Sequence, residues 1–296
     1  MQVKIMRELS NCVAVITGAG SGIGQALALQ LAERKASLAI SDVNAAALES
    51  TARMLETKDI NLHVQTLDVS DREAVFAYAE TVAEHFGEVN LVINNAGVGL
   101  ASGSLQSTSI DEFEWLMRVN FSGVLYGTKA FLPVLEKASW GHIVNLSSLF
   151  GLIGVAGQSA YNSSKFAVRG LTEALRNELE LSDSNVSATS VHPGGVRTNI
   201  ARNSRLGELL GDAEKAVFEK RGDDFEKFAK TTAESAAAQI LLGVEKNKRR
   251  VLVGTDAKLM DRVQRLFPNK YHVFFVWISN RIGGKNTLFK PAAQKD

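Results

Sequence analysis

The sequence predicts an α/β protein: a doubly wound, Rossmann-type parallel sheet in one domain, with a C-terminal helical and basic extension. Short β-branched runs alternate with segments long enough for crossover helices. The runs are almost continuously apolar, the pattern of strands buried on both faces. A glycine-rich turn joins the first run to the first helix, where such sheets place their ligand loop.

The elements follow in order along the chain. Val13-Ala14-Val15-Ile16 reads as the first strand and Ile23 to Arg34 as the first helix. Leu38-Ala39-Ile40 and a helix over Ala45 to Glu56 come next, then a strand over Leu62 to Leu67 and a helix over Arg72 to Phe86. Leu91-Val92-Ile93, Ile143 to Leu146, Val186 to Val191 and Val251-Leu252-Val253 are the remaining strands, with a helix over Ala236 to Val244 before the last. Ser109-Ile110-Asp111-Glu112 has the form of a capping box. It opens a helix whose Trp115 and Met117 read as core or subunit contact. Residues 1–255 are taken as the catalytic domain, with a polar, glycine-broken lid at about 196–230, and residues 256–296 as the extension.

Composition narrows the function. Hydrophobic residues are 45% and charged residues 22% of the 296, ordinary for a soluble globular chain. A formal net charge of +1 offers no field for nucleic acid. The single cysteine, Cys12, permits no internal disulfide and reads as a buried small hydrophobe, which fits a cytoplasmic location. The N-terminal residues, with Lys4 and Arg7, lack the apolar core of a signal peptide, and no stretch has the length of a membrane span. The histidines lack metal-ligand spacing, so no metal is expected.

The turn Thr17-Gly18-Ala19-Gly20-Ser21-Gly22-Ile23-Gly24 stands where backbone N–H groups and a helix dipole favour a pyrophosphate. Its spacing, G-x-x-x-G-x-G, differs from the G-x-G-x-x-G fingerprint. Asp42 ends the second strand, 18 residues after Gly24, where an acid is expected to meet the adenosine ribose. Its charge opposes a 2′-phosphate, and neither Ser41 nor Val43 offsets it, which favours NAD over NADP. Asp42 also reads as an N-cap for the next helix, and the two roles are compatible.

Tyr161 and Lys165 are four apart on a helical stretch and share a face. An ammonium beside a phenol favours the phenolate, and a phenol so tuned can trade a proton with a carbinol oxygen. Ser148 follows the strand ending at Leu146, and its hydroxyl can hold the reacting oxygen; Ser147 is the weaker candidate.

Together with Asn94-Asn95-Ala96-Gly97 and Pro193-Gly194, these motifs resemble, in order and spacing, the short-chain dehydrogenase/reductase family. The likeness covers about Asn11 to Ile200, roughly two thirds of the chain. It implies Tyr161 as acid/base, Lys165 as the group that lowers its pKa and bonds the nicotinamide ribose, Ser148 as the substrate-orienting hydroxyl, and Asn120 as the asparagine of a proton relay. It implies cofactor contacts from Gly18, Ser21, Gly22, Ile23, Gly24, Asp42, Asp68, Val69, Asn95, Ala96, Gly97, Pro193, Gly194, Val196 and Thr198. The absence of a basic residue among Ala19, Gly20, Ser21 and Ile23 again points to NAD. It also implies a homodimer or homotetramer, through the Trp115 and Tyr161 helices.

The expected activity is interconversion of an alcohol and a ketone or aldehyde. A non-redox lyase or epimerase on the same scaffold, and a non-catalytic dinucleotide-binding regulator, are the alternatives. The end of the chain departs from the family pattern. Residues 246–290 carry eleven Lys or Arg against Asp256 and Asp261. Leu259, Met260, Val263, Leu266 and Phe267 have helical spacing before Pro268, and an apolar aromatic segment over Tyr271 to Ile282 follows, flanked by Arg281 and Lys285. Peripheral membrane contact, packing over the substrate cleft and subunit contact all fit this tail. The run Val273 to Ile278 is expected to be covered in the native assembly. Family likeness leans the substrate toward an apolar alcohol or carbonyl compound.

Overall fold

The structure is a computed structural model that describes residues 7–212, 214–216, 218 and 229–283. Lys4, the 219–228 part of the expected lid, the side chain of Ile278, and Lys285 with the rest of 284–296 lie outside the described residues.

The central sheet has seven strands, all parallel: β1 (Val13–Thr17), β2 (Ser37–Asp42), β3 (Leu62–Thr66), β4 (Leu91–Asn94), β5 (Gly141–Leu146), β6 (Val186–Pro193) and β7 (Arg250–Val253). Their order is β3-β2-β1-β4-β5-β6-β7. The order reverses between β1 and β4, and ligands of such sheets bind at that crevice.

The helices that pack on the sheet and follow it, among the described residues, include α1 (Gly22–Glu33), α2 (Ala45–Glu56), α3 (Arg72–Phe86), α4 (Ile110–Met117), α5 (Gly123–Leu135), α6 (Ser159–Leu181), α7 (Ala233–Glu245), α8 (Thr255–Leu266) and α9 (Tyr271–Gly283). Alternation along β1 decides which layer each side chain joins. Ala14 and Ile16 pack with Leu27 and Leu31 of α1 and Ile240 and Leu241 of α7. Val13 and Val15 pack with Tyr78 and Val82 of α3, Phe131 of α5 and Leu175 of α6. Both faces are therefore apolar, and each large side chain so buried stabilises the fold by about 1.5–3 kcal/mol. Cys12 lies in the first of these layers, and burial pushes its thiol up to about 12.

Helix starts are set by caps. Asn44 accepts from the Ala47 N–H at the start of α2, and Asp71 accepts from Ala74 at the start of α3. The capping box at α4 is formed: Glu112 accepts from the Ser109 N–H at 2.9 Å while its own N–H donates to Ser109 Oγ at 3.2 Å. A turn of π-helix, Arg118–Ser122, joins α4 to α5 in one continuous run.

The tail is tied to the sheet. Ala257 and Met260 of α8 are buried, and Asp261 pairs with Arg250 of β7 at 3.1 Å. Tyr271, Phe274 and Phe275 of α9 pack on Leu149, Leu152, Ile153 and Val155, and the Tyr271 hydroxyl accepts from the Gly154 N–H. The chain itself thus covers part of the apolar run: Phe274 and Phe275 are packed, whereas Val273, Val276 and Trp277 are exposed to solvent on one side, with the Trp277 ring stacked on Phe274.

Candidate active site

The expected site residues collect along the C-terminal edge of the sheet. Gly18 follows β1, Asp42 ends β2, Asp68 and Val69 follow β3, Asn95 to Gly97 follow β4, Ser148 follows β5, and Pro193 to Thr198 run from the end of β6. Asn120 comes from the π turn, and Tyr161 and Lys165 from the first turns of α6.

The glycine loop is a cradle that side chains would fill. A Cβ on Gly24 would collide with the Gly18 carbonyl, so the helix enters directly against the loop. Ser21 takes the N-cap position with extended backbone, and its side chain makes no cap hydrogen bond. Ile23 packs partly against the core beneath, and Thr198 overhangs Gly22. Asn95 clips the loop to the next strand end: its Nδ2 donates to the Thr17 and Gly18 carbonyls, each at 3.0 Å. The Asn95 and Ala96 N–H groups both donate to Thr17 Oγ1 at 3.1 Å. Asp42 accepts from the Gly20 N–H at 2.9 Å and from the Asn44 N–H at 2.9 Å. Asn44, two residues further on, is the N-cap of α2; Asp42 braces the glycine loop instead. Asp68 is exposed and accepts from Ser70, while Val69 is buried against Gly123. Val196 is buried in the short strand paired with Thr231–Thr232. Gly194 donates to the Val253 carbonyl, and Gly195 donates to Asp256 of α8 at 2.6 Å.

Asn120, Ser148, Tyr161 and Lys165 converge. Asn120 is fully buried; its Oδ1 accepts from the Val98 N–H at 2.8 Å and its Nδ2 donates to the Val98 carbonyl at 3.0 Å. Gly97 has no side chain and leaves room between Asn120 and Lys165, each a little over 3 Å from where a Cβ would stand. Lys165 Nζ donates to the Leu146 carbonyl at 3.0 Å and lies 5.6 Å from the centre of the Tyr161 ring. The lysine charge therefore acts on the ring from its face. Burial depresses the Lys165 ammonium to about 8. Burial likewise pushes the Tyr161 phenol up, and a hydrogen bond with Ser148 pulls it back. Burial is the larger of the two effects, so the phenol stands above its ordinary value.

Some residues around the site escaped the sequence reading. Phe150 stands edge-on to Tyr161 at 6.0 Å and edge-on to Phe275 of α9 at 6.4 Å, linking the tail to the acid/base candidate. His192 Nδ1 donates to the Ser148 carbonyl at 3.0 Å and its Nε2 accepts from Ser190 at 3.0 Å. A buried ladder runs from Asn94 Nδ2 to Asn145 Oδ1 at 2.8 Å and from Asn145 Nδ2 to Thr172 Oγ1 at 3.0 Å, fixing β4, β5 and α6 together. The one signal available was an asparagine inside each apolar run, where a buried amide must find partners. Glu112 reaches beyond its cap and accepts from the Glu208 N–H at 2.8 Å, holding the first part of the lid to α4. Among the described residues no group of three or more His, Cys, Asp or Glu comes together as a metal site.

A seven-stranded parallel sheet, a glycine cradle at its switch point and a Ser–Tyr–Lys cluster beside it define a dinucleotide-dependent dehydrogenase scaffold. The short chain dehydrogenase profile matches residues 12–209, and the chain belongs to that family. It is 46% identical over 266 residues to SadH of Mycobacterium tuberculosis, which carries the name of an oxidoreductase, covering 90% of this chain and 94% of that one. A crystal structure of a short chain dehydrogenase/reductase from Burkholderia phymatum in complex with NAD is 29% identical, with a TM-score of 0.81 over 97% of this chain and all of that one. An alcohol dehydrogenase from Thermococcus sibiricus, complexed with 5-hydroxy-NADP, is 28% identical, with a TM-score of 0.68 over 81% of this chain and 95% of that one. The chain is thus an oxidoreductase of the short chain dehydrogenase family.

Proposed function

We propose that the chain interconverts an apolar alcohol and its ketone or aldehyde, with NAD as the hydride carrier and Tyr161 as the acid/base. The observation that carries this reading is the Tyr161 phenol held beside the Ser148 hydroxyl, over the buried Lys165 ammonium 5.6 Å away.

The residues present fit the cofactor: the Gly18–Gly24 cradle leaves free N–H groups at the start of α1, where a pyrophosphate is favoured. Gly18, Ser21, Gly22, Ile23 and Gly24 would hold the phosphates, with Pro193, Gly194, Val196 and Thr198 closing over them. Asp42 would take the adenosine ribose hydroxyls, Asp68 and Val69 the adenine, and Asn95, Ala96 and Gly97 the ribose floor. When bound, the nicotinamide ring accepts or donates the hydride. Ser148 holds the substrate oxygen by hydrogen bonding. Tyr161 takes the carbinol proton in oxidation and returns one in reduction. Lys165 stabilises the phenolate electrostatically and would hold the nicotinamide ribose, and Asn120 would pass protons onward. Phe150 and the packed side of α9 give the cleft an apolar aromatic wall, which supports the choice of substrate.

The catalytic unit comprises residues 1–255, with the 196–230 segment as substrate lid. The cytoplasm suits its lone buried cysteine. Exposed Ile110 on α4 and Phe166 on α6 support a homodimer or homotetramer, which light scattering checks. Steady-state turnover over alcohols of graded chain length with NAD and NADP tests the whole reading; no nucleotide reduction or oxidation with any of them overturns it.

Cofactor choice has its own test. Lys35 is engaged with the Lys58 carbonyl and Arg53 with Glu49, so neither is spent on offsetting Asp42. kcat/KM is expected to be higher with NAD. Asp42→Asn keeps an acceptor while removing the charge, and like charges set together cost several kcal/mol. The NAD preference should therefore shrink by at least about tenfold, or ~1.4 kcal/mol. A wild type that prefers NADP sinks this assignment.

A further inference from the structure

The two tail helices have opposite faces of different character. Inward, Ala257, Met260 and Asp261 of α8 and Phe274 and Phe275 of α9 are packed. Outward, Leu259, Val263 and Leu266 follow at helical spacing on α8, Phe267 continues the stripe, and Val273 and Trp277 stand four apart on α9. Leu266 is 72% exposed, Phe267 58%, Val273 59% and Trp277 52%. Between the helices runs a groove of about 340 Å³ lined by Val263, Phe267, Lys270, Val273, Phe274 and Trp277. Single apolar side chains at a surface are ordinary, but a continuous apolar patch marks an interaction site.

The exposed charges of the two helices that flank this stripe are basic. Lys258, Arg262 and Lys270 are exposed at its rim. Both acids of the two helices are committed elsewhere: Asp256 accepts from the Gly195 N–H, and buried Asp261 pairs with Arg250 and Arg265. We propose that this outer face of α8 and α9 docks on the surface of a bilayer containing anionic phospholipid. The apolar stripe enters the headgroup–acyl boundary, and the lysines and arginine meet the phosphates. A second copy seated on the same face would bring two basic rims together. No helix among the described residues is long and apolar enough to cross a membrane, so the contact is peripheral.

Docking also has a consequence for the cleft, and that part rests on the proposed alcohol–carbonyl activity. The bilayer face and the Phe275 side chain that touches Phe150 belong to the same helix, one side chain removed from Tyr161. An apolar alcohol dissolved in the bilayer would then reach the site without crossing bulk water.

The test is sedimentation of the full-length protein with vesicles of phosphatidylcholine alone or mixed with phosphatidylglycerol, at low and high salt. Binding is expected to the anionic vesicles, to be weak on neutral ones, and to fall as salt screens the contact. Removing Lys258, Arg262 and Lys270 charges together with glutamine should weaken binding about five-fold for each, roughly a hundredfold in all. Phe267→Ser with Val273→Ser should also weaken it, and since both positions are exposed the melting temperature should be unchanged. Absent binding, equal binding to neutral vesicles, or binding untouched by either variant overturns the proposal. A dimer that Phe267→Ser with Val273→Ser dissolves, without vesicle binding, would give the face to a second copy instead. Vesicle binding alongside no turnover of any alcohol would leave docking standing and remove the activity.

Discussion

Tyr161→Phe should lower turnover by about 10²–10⁴-fold, the scale for losing a positioned acid/base, while nucleotide binding stays near wild type. The phenylalanine ring keeps the edge-on contact with Phe150 and the face presented to Lys165. Only the hydroxyl is lost, so the variant separates proton transfer from packing. Steady-state kinetics beside a nucleotide fluorescence titration checks this. Turnover within a few-fold of wild type would remove Tyr161 from the chemistry. Ser148→Ala should lower turnover less, since it leaves the proton donor in place but frees the substrate oxygen.

A second large effect is expected from acid. Thr189 Oγ1 donates to the Lys248 carbonyl and so accepts from His142 Nε2–H, leaving His142 Nδ1 bare and without a hydrogen-bond partner. Burial, with Arg7 and Arg176 nearby, depresses His142 to about 3, and burial depresses His192 to about 4. Between pH 6.5 and those values the unfolded chain binds protons that the folded chain refuses, so stability falls as pH falls. At about 1.4 kcal/mol per unit, each ring costs ~2 kcal/mol between pH 6.5 and 5, or ~4 kcal/mol together. That is a large share of a typical total of about 5–15 kcal/mol. Urea midpoints should drop steeply from pH 7 to 5. His142→Gln, whose amide can still donate to Thr189, should remove roughly half of the drop. A flat midpoint over that range would refute the neutral, buried state of both rings.

The fold was legible because it rests on periodicity. Apolar runs such as Val13 to Ile16 are buried on both faces, and the residues at their ends had to be loops. The site was legible where a loop demands a residue type, as at Gly24 against the Gly18 carbonyl, or where helical spacing joins two side chains, as at Tyr161 and Lys165. What stayed hidden depends on contacts between distant segments. Phe150 meets Phe275 from 125 positions on. His192 gains its place through a carbonyl of a different strand end. The phenol pKa depends on how deeply the folded chain buries Tyr161, which no spacing reports. The two faces of α9 were equally hidden, since Val273 to Trp277 are apolar on every side and only packing divides them.

The π turn at Arg118–Ser122 also settles a question of phase. Glu112, Leu116, Asn120 and Val124 are all buried, each four residues from the last. In an unbroken α-helix, at about 100° per residue, those twelve steps would rotate the buried side by ~120°, turning Val124 out of line with Leu116. One surplus residue taken up by a wider turn cancels most of that drift. Asn120 sits inside the correction, so its amide faces Val98 only while the surplus residue is present. Deleting a single residue from the turn would leave a better helix by local rules and a worse site, because the asparagine would swing by about 100° relative to one of the two helices it joins. The extra residue acts as a rotational offset, setting the relay candidate's bearing independently of the helices on either side.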